Sequence, residues 1–184
     1  MYLQSILSFN ISMVALDFLF FGVPLAFYFL KRARPLNELG LHARVPVKTV
    51  LLEAAGLLVA MLVLTAALGW AASMLGLDDT QPVEEAIQST VQEGMGWLAY
   101  LIVVRVFAEE VFFRGLLTPV LGIGGSALVF GAAHALYGSY LEVMGAALLG
   151  LLLAWRYKAT KTLWVPVGAH MAYNIITIWS VLAL

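Results

Sequence analysis

The stretch FAEEVFFRG, residues 107–115, places two adjacent carboxylates and a guanidinium inside a run that otherwise reads as bilayer interior. At the bilayer centre each such group costs about 2.5 to 3.5 kcal/mol on insertion scales, so Glu109, Glu110 and Arg114 need either partners or a task. The chain around them has 184 residues, 62% hydrophobic and only 11% charged, with a mean hydropathy of +0.95, whereas soluble domains carry about 25% charged residues. That composition predicts an all-α, polytopic transmembrane helical bundle. With no repeat, low-complexity tract or soluble segment in view, residues 1–184 read as a single integral-membrane domain. A net charge of −1 leaves no basic excess for a nucleic acid. The absence of cysteine removes disulfides, a thiolate nucleophile and Cys-ligated metals. MYLQSILSFN has neither a basic n-region nor a small-residue cleavage site, so the first apolar run is expected to be a retained span.

Crossing about 30 Å of hydrocarbon takes about 20 apolar residues in a helix. The pattern predicts about six segments: from about Ser5 to Leu30, Thr49 to Leu77, Met95 to Leu121, Gly124 to Leu136, Leu141 to Trp155 and Leu163 to Leu184. The fourth and fifth are short enough to form a re-entrant pair shielded by their neighbours. Lys31, Arg32, Arg34, Arg44 and Lys48 follow the first segment, and Arg156, Lys158 and Lys161 follow the fifth. DDTQPVEEAIQSTVQEG, between the second and third, has acids and no basic residue. Lys and Arg collect on the cytoplasmic side, so six alternating crossings put both termini outside. In RPLNELGLHARVPVK, the spacing of Leu36, Leu39 and Leu41 suggests a short interfacial helix. GIGGS, residues 122–126, reads as a tight turn before the fourth segment.

Polar groups recur at membrane depth on segments three, four and six: Arg105, Glu109, Glu110 and Arg114; His134 in FGAAH; His170 and Asn174 in HMAYN. At about 1.5 Å of rise per residue, Glu109, His134 and His170 lie about 10 to 20 Å deep, so three helices meet at one level. Positions four apart share a helix face, which pairs Glu110 with Arg114 and sets Arg105 beside Glu109. Side chains lean toward the helix N-terminus, so Arg114 reaches back onto Glu110 while Arg105 is expected to snorkel outward, leaving Glu109 free as a general base. His170 and Asn174 share a face and, with His134, supply proton carriers and donors for a developing oxyanion. Together these are the parts needed to hydrolyse an amide with an activated water. Asp17, Glu53 and Glu142 stay outside this set: Glu53 and Glu142 lie near segment ends, and Asp17 lines an interior face. A Ser126 nucleophile lacks the following glycine expected of serine intramembrane proteases.

EEVFFRG matches EExxxR, FGAAH matches FxxxH and HMAYN matches HxxxN, in that order and on separate apolar segments. The chain thereby resembles the CAAX prenyl protease and bacteriocin-processing (abortive-infection) family of intramembrane glutamate endopeptidases. The resemblance implies hydrolysis of a peptide bond in a membrane-anchored protein or peptide, within membrane lipid. Glu109 and His134 would activate a water, His170 and Asn174 would stabilise the oxyanion, and Glu110 and Arg114 would support them. It implies no cofactor. Two histidines and a carboxylate would also suit zinc, but HExxH is absent and the likeness points to a metal-free water. The chain has about six segments where the family's larger members have an eight-helix core. A prokaryotic plasma membrane is expected from its brevity. The alternative is a non-catalytic membrane scaffold or immunity factor that keeps the same pocket. Complementation by Glu109→Gln separates the two.

Overall fold

A membrane-spanning chain must satisfy its backbone polar groups internally, and helices do so segment by segment. In the computed structural model, which describes residues 2–42, 44–77 and 79–183, the regular structure among the described residues is helical throughout. Asp78, one of the acids of the second loop, lies outside the described residues. Helix α1 runs Tyr2–Leu30, α2 is the single turn Pro35–Glu38, α3 runs Val47–Met74 and α4 runs Gln81–Gln92. Helix α5 covers 95–121 and α6 covers 123–133, α6 ending in the 3-10 turn His134–Tyr137. Helices α7, Tyr140–Thr160, and α8, Trp164–Leu182, complete the chain.

Five stretches are long and apolar enough to cross a membrane: Ile11–Leu30, Val47–Met74, Met95–Tyr137, Tyr140–Thr160 and Trp164–Leu182. The third has 43 residues, about 65 Å if straight and twice the hydrocarbon thickness. It folds back at Gly122, whose φ of 76° and ψ of 178° interrupt the helix with a backbone that glycine adopts without steric cost. After the reversal the Phe113 and Phe130 rings meet at 4.9 Å, and Ser126 Oγ donates to the Phe113 carbonyl at 2.8 Å. The five stretches therefore hold the six expected segments. The fourth is shorter than a full crossing, and the fifth is longer than the sequence suggested. Helix α6 lies tight against α7: a Cβ on Gly131 would come 2.7 Å from Ala147 Cβ, and one on Gly150 3.1 Å from Ala127 Cα. Small residues at such contacts bring backbones together where the surrounding lipid offers no hydrophobic drive.

The two ends of the bundle differ in charge. At one end the loops after α1 and α7 dock together: Leu163 N donates to Gly40 O at 3.3 Å, and Tyr157 Oη to Glu38 O at 3.1 Å. The basic residues cluster here. At the other end Asp79 accepts from Ser139 Oγ at 3.0 Å and from the backbone of Tyr140, capping α7. Two sequence expectations change. The helix expected around Leu36, Leu39 and Leu41 is one turn long, because Leu39 leaves the interface and is buried against Gly115. The acidic loop has structure of its own: it folds into the amphipathic helix α4, which turns Val83, Ala86, Ile87 and Thr90 toward a cavity inside the bundle.

Candidate active site

Helix α5 is not regular where it carries its charges. Val106–Glu110 is α-helical, but π-helical stretches flank it at Leu101–Arg105 and Val111–Leu117. Such wide turns, which occur often at functional sites, re-aim side chains and free carbonyls. The Phe113 carbonyl is one of these, accepting hydroxyls from both Thr118, at 2.9 Å, and Ser126, at 2.8 Å. The Ser126 hydroxyl is thus buried and held in a bond to the backbone.

Glu110 and Arg114 are both fully buried, with Arg114 Nε 3.1 Å from Glu110 Oε2. Neither partner's atom there makes a directed hydrogen bond, so the contact is an ion pair set by proximity, and the guanidinium stacks on the Phe130 ring at 4.3 Å. The other oxygen of Glu110 faces His170 Nδ1 at 2.8 Å. Because a carboxylate only accepts, Nδ1 carries the proton, and Nε2 is the nitrogen His170 has left to use. The same logic fixes His134, whose Nδ1 donates to the Phe130 carbonyl at 2.8 Å.

Glu109 departs from expectation. It is not free of cations: Arg105 Nε sits 3.1 Å from its Oε1. Arg105 does not snorkel outward either, because Asp17 on α1 holds it inside, Nη1 donating to Asp17 Oδ1 at 2.9 Å. Tyr100 Oη donates to the other Asp17 oxygen at 2.7 Å. The guanidinium is therefore shared between two carboxylates. Asp17 is 2% exposed, which matches the interior face expected for it. Its tie to this group was not foreseen, because a partner 88 residues away leaves no local spacing signal.

Glu109, His134, His170 and Asn174, from α5, the end of α6, and α8, line one cavity of about 630 Å3. Arg105 and Glu142 line it too. Sequence reading left out Glu142 as a helix-end residue. It does lie in the first turn of α7, yet that turn faces the cavity. Glu53, also left out, pairs with Arg156 away from the site. Arg105 holds one oxygen of Glu109, and among the described residues no group of three His, Asp or Glu is placed to hold a metal ion.

Residues 91–176 match the family described as type II CAAX prenyl endopeptidase Rce1-like. The chain is also 32% identical over 80 residues to the uncharacterized protein YpbD of Bacillus subtilis (strain 168), a match covering 43% of this chain and 42% of the relative. It thus spans less than half the length of that curated relative. No solved structure matches it.

Proposed function

We propose, from the match of residues 91–176 to the Rce1-like CAAX endopeptidase family, that this integral membrane protein hydrolyses a peptide bond of a membrane-anchored protein or peptide. The carrying observation is the meeting of Glu109, His134, His170 and Asn174 in one cavity among apolar helices. In this reading a water between Glu109 and His134 Nε2 gives a proton to Glu109 and attacks the carbonyl carbon. The new C–O bond leaves negative charge on the carbonyl oxygen, which Asn174 and His170 stabilise, the latter as an imidazolium with Glu110 as its counter-charge. The proton then passes to the amide nitrogen, the C–N bond breaks, and an acid and an amine leave. Glu110 supports this by holding the His170 ring. Arg105, shared with Asp17, neutralises only part of the charge on Glu109 and leaves it able to take the proton. No metal enters the scheme.

The low dielectric of the cavity strengthens each of these contacts relative to water. The positive-inside pattern orients the basic end toward the cytoplasm, with both termini outside a prokaryotic plasma membrane. Single cysteines introduced into this cysteine-free chain and labelled from either side check that orientation. The test of activity compares peptides released from membranes with and without the protein, then assays the purified chain and its Glu109→Gln variant on a membrane-anchored reporter. Cleavage is expected from the wild type only and is expected to survive chelation. Equal cleavage by both proteins removes Glu109 from its role.

A further inference from the structure

The basic end of the bundle holds a second concavity, of about 910 Å3, lined by Arg34, His42, Arg44 and Lys161 together with Pro35 and Leu36. Its four basic side chains come from two loops far apart in sequence, so their convergence is a property of the fold. The loops are fastened by Leu163 N to Gly40 O at 3.3 Å, Trp164 Nε1 to Leu41 O at 3.2 Å and Tyr157 Oη to Glu38 O at 3.1 Å. Gly40 lies so close to the second loop that a Cβ there would be 2.9 Å from Lys161 O. Lys161 itself takes a left-handed backbone, φ 56°, at a helix end where glycine or asparagine is the usual occupant. A cationic side chain is thus kept at a position whose backbone favours another residue.

No acid lines this basin, and among the described residues Arg34, Arg44 and Lys161 make no ion pair, whereas Arg156, at the same end, is paired with Glu53. Like charges clamped together without a counter-charge repel one another, and an anion relieves that repulsion. The basin also sits where α1 and α7 end and α3 begins, the level of lipid headgroups. Phe29, Leu30 and Val47, within a few residues of its lining in the chain, are exposed, and Leu36 supplies an apolar wall. A soluble anion would use only the charged half of this surface, whereas a phospholipid uses both halves.

We propose that the Arg34, His42, Arg44 and Lys161 basin binds the phosphate headgroup of an anionic phospholipid, with its acyl chains running along Phe29, Leu30 and Val47. The site stands apart from the cavity read as catalytic, and binding there does not depend on proteolysis. The test is native mass spectrometry of the full chain in detergent with dioleoyl phosphatidylglycerol, dioleoyl phosphatidylcholine or inorganic phosphate. Phosphatidylglycerol is expected to be retained at least about tenfold better than phosphatidylcholine. At about fivefold per basic residue, Arg34→Gln with Arg44→Gln is expected to weaken that retention about 25-fold. Lys48→Gln with Lys158→Gln removes the same charge from exposed positions at the same end but outside the basin, and is expected to cost less than about threefold. Thermal unfolding of both double variants checks that they fold alike. Equal losses in the two variants, no preference for phosphatidylglycerol, or its displacement by millimolar inorganic phosphate would each overturn the assignment.

Discussion

Around Glu110 the protein is closed: a guanidinium on one side, an imidazole on the other and no exposed atom. One residue earlier, around Glu109, the surroundings open onto the cavity, and the nearby guanidinium is divided with Asp17. Consecutive helical positions point about 100° apart, so one turn of α5 serves both a sealed anchor and a reactive wall. A carboxylate at membrane depth is tolerated in either way, through complete pairing or through a polar cavity, and this chain uses both side by side.

The comparison is broken most directly at Glu109. Glu109→Gln keeps shape and removes the base, so cleavage of a membrane-anchored reporter should fall about 10^4-fold with thermal unfolding unchanged. Should unfolding shift while cleavage persists, the two glutamates have been assigned the wrong way round. On the closed side, Arg114→Leu strands the Glu110 charge in the core and should cost about 3 to 5 kcal/mol of stability in detergent unfolding. Combining Glu110→Gln with Arg114→Leu should recover a large part of that loss, which a purely steric role for Arg114 would not allow. Asn174→Ala comes next, with an expected drop in kcat of about 10^2-fold and little change in KM. The smallest effect is expected from Asp17→Asn. It releases Arg105 entirely to Glu109 and should lower kcat about tenfold, an order-of-magnitude figure for one redistributed charged contact. Unchanged kcat in that variant would show that sharing the guanidinium does not matter to Glu109.

The parts of this site legible in the sequence were those encoded by helical spacing. The four-residue steps from Arg105 to Glu109 and from Glu110 to Arg114 both appear as 3.1 Å contacts. His134 and His170 reach one cavity from separate apolar segments. Local spacing did not reveal what each group does with its second partner. Arg105 was expected to lean outward because side-chain direction on one helix says nothing of a carboxylate supplied by another, and Asp17 reverses the outcome. Glu110 was paired with Arg114 alone because the bond to His170 joins residues 60 apart in sequence. Helix α4 did carry a signal: Val83, Ala86, Ile87, Thr90 and Val91 mark one helical stripe. The acids between them were read only as a loop that orients the chain. The six segments were visible as apolar runs, but the fold-back at Gly122, after which His134 reaches the cavity, depended on one backbone conformation.

Asp79 ties the chain leading into α4 to Ser139, Tyr140 and Leu141 at the start of α7. Three residues beyond Ser139 is Glu142, whose backbone N–H bonds to the Ser139 hydroxyl and whose side chain reaches the cavity. A displacement of α4 would therefore either sever the aspartate's bonds or carry the first turn of α7, and with it Glu142, along. One aspartate thus ties an amphipathic wall of the chamber to an acidic one.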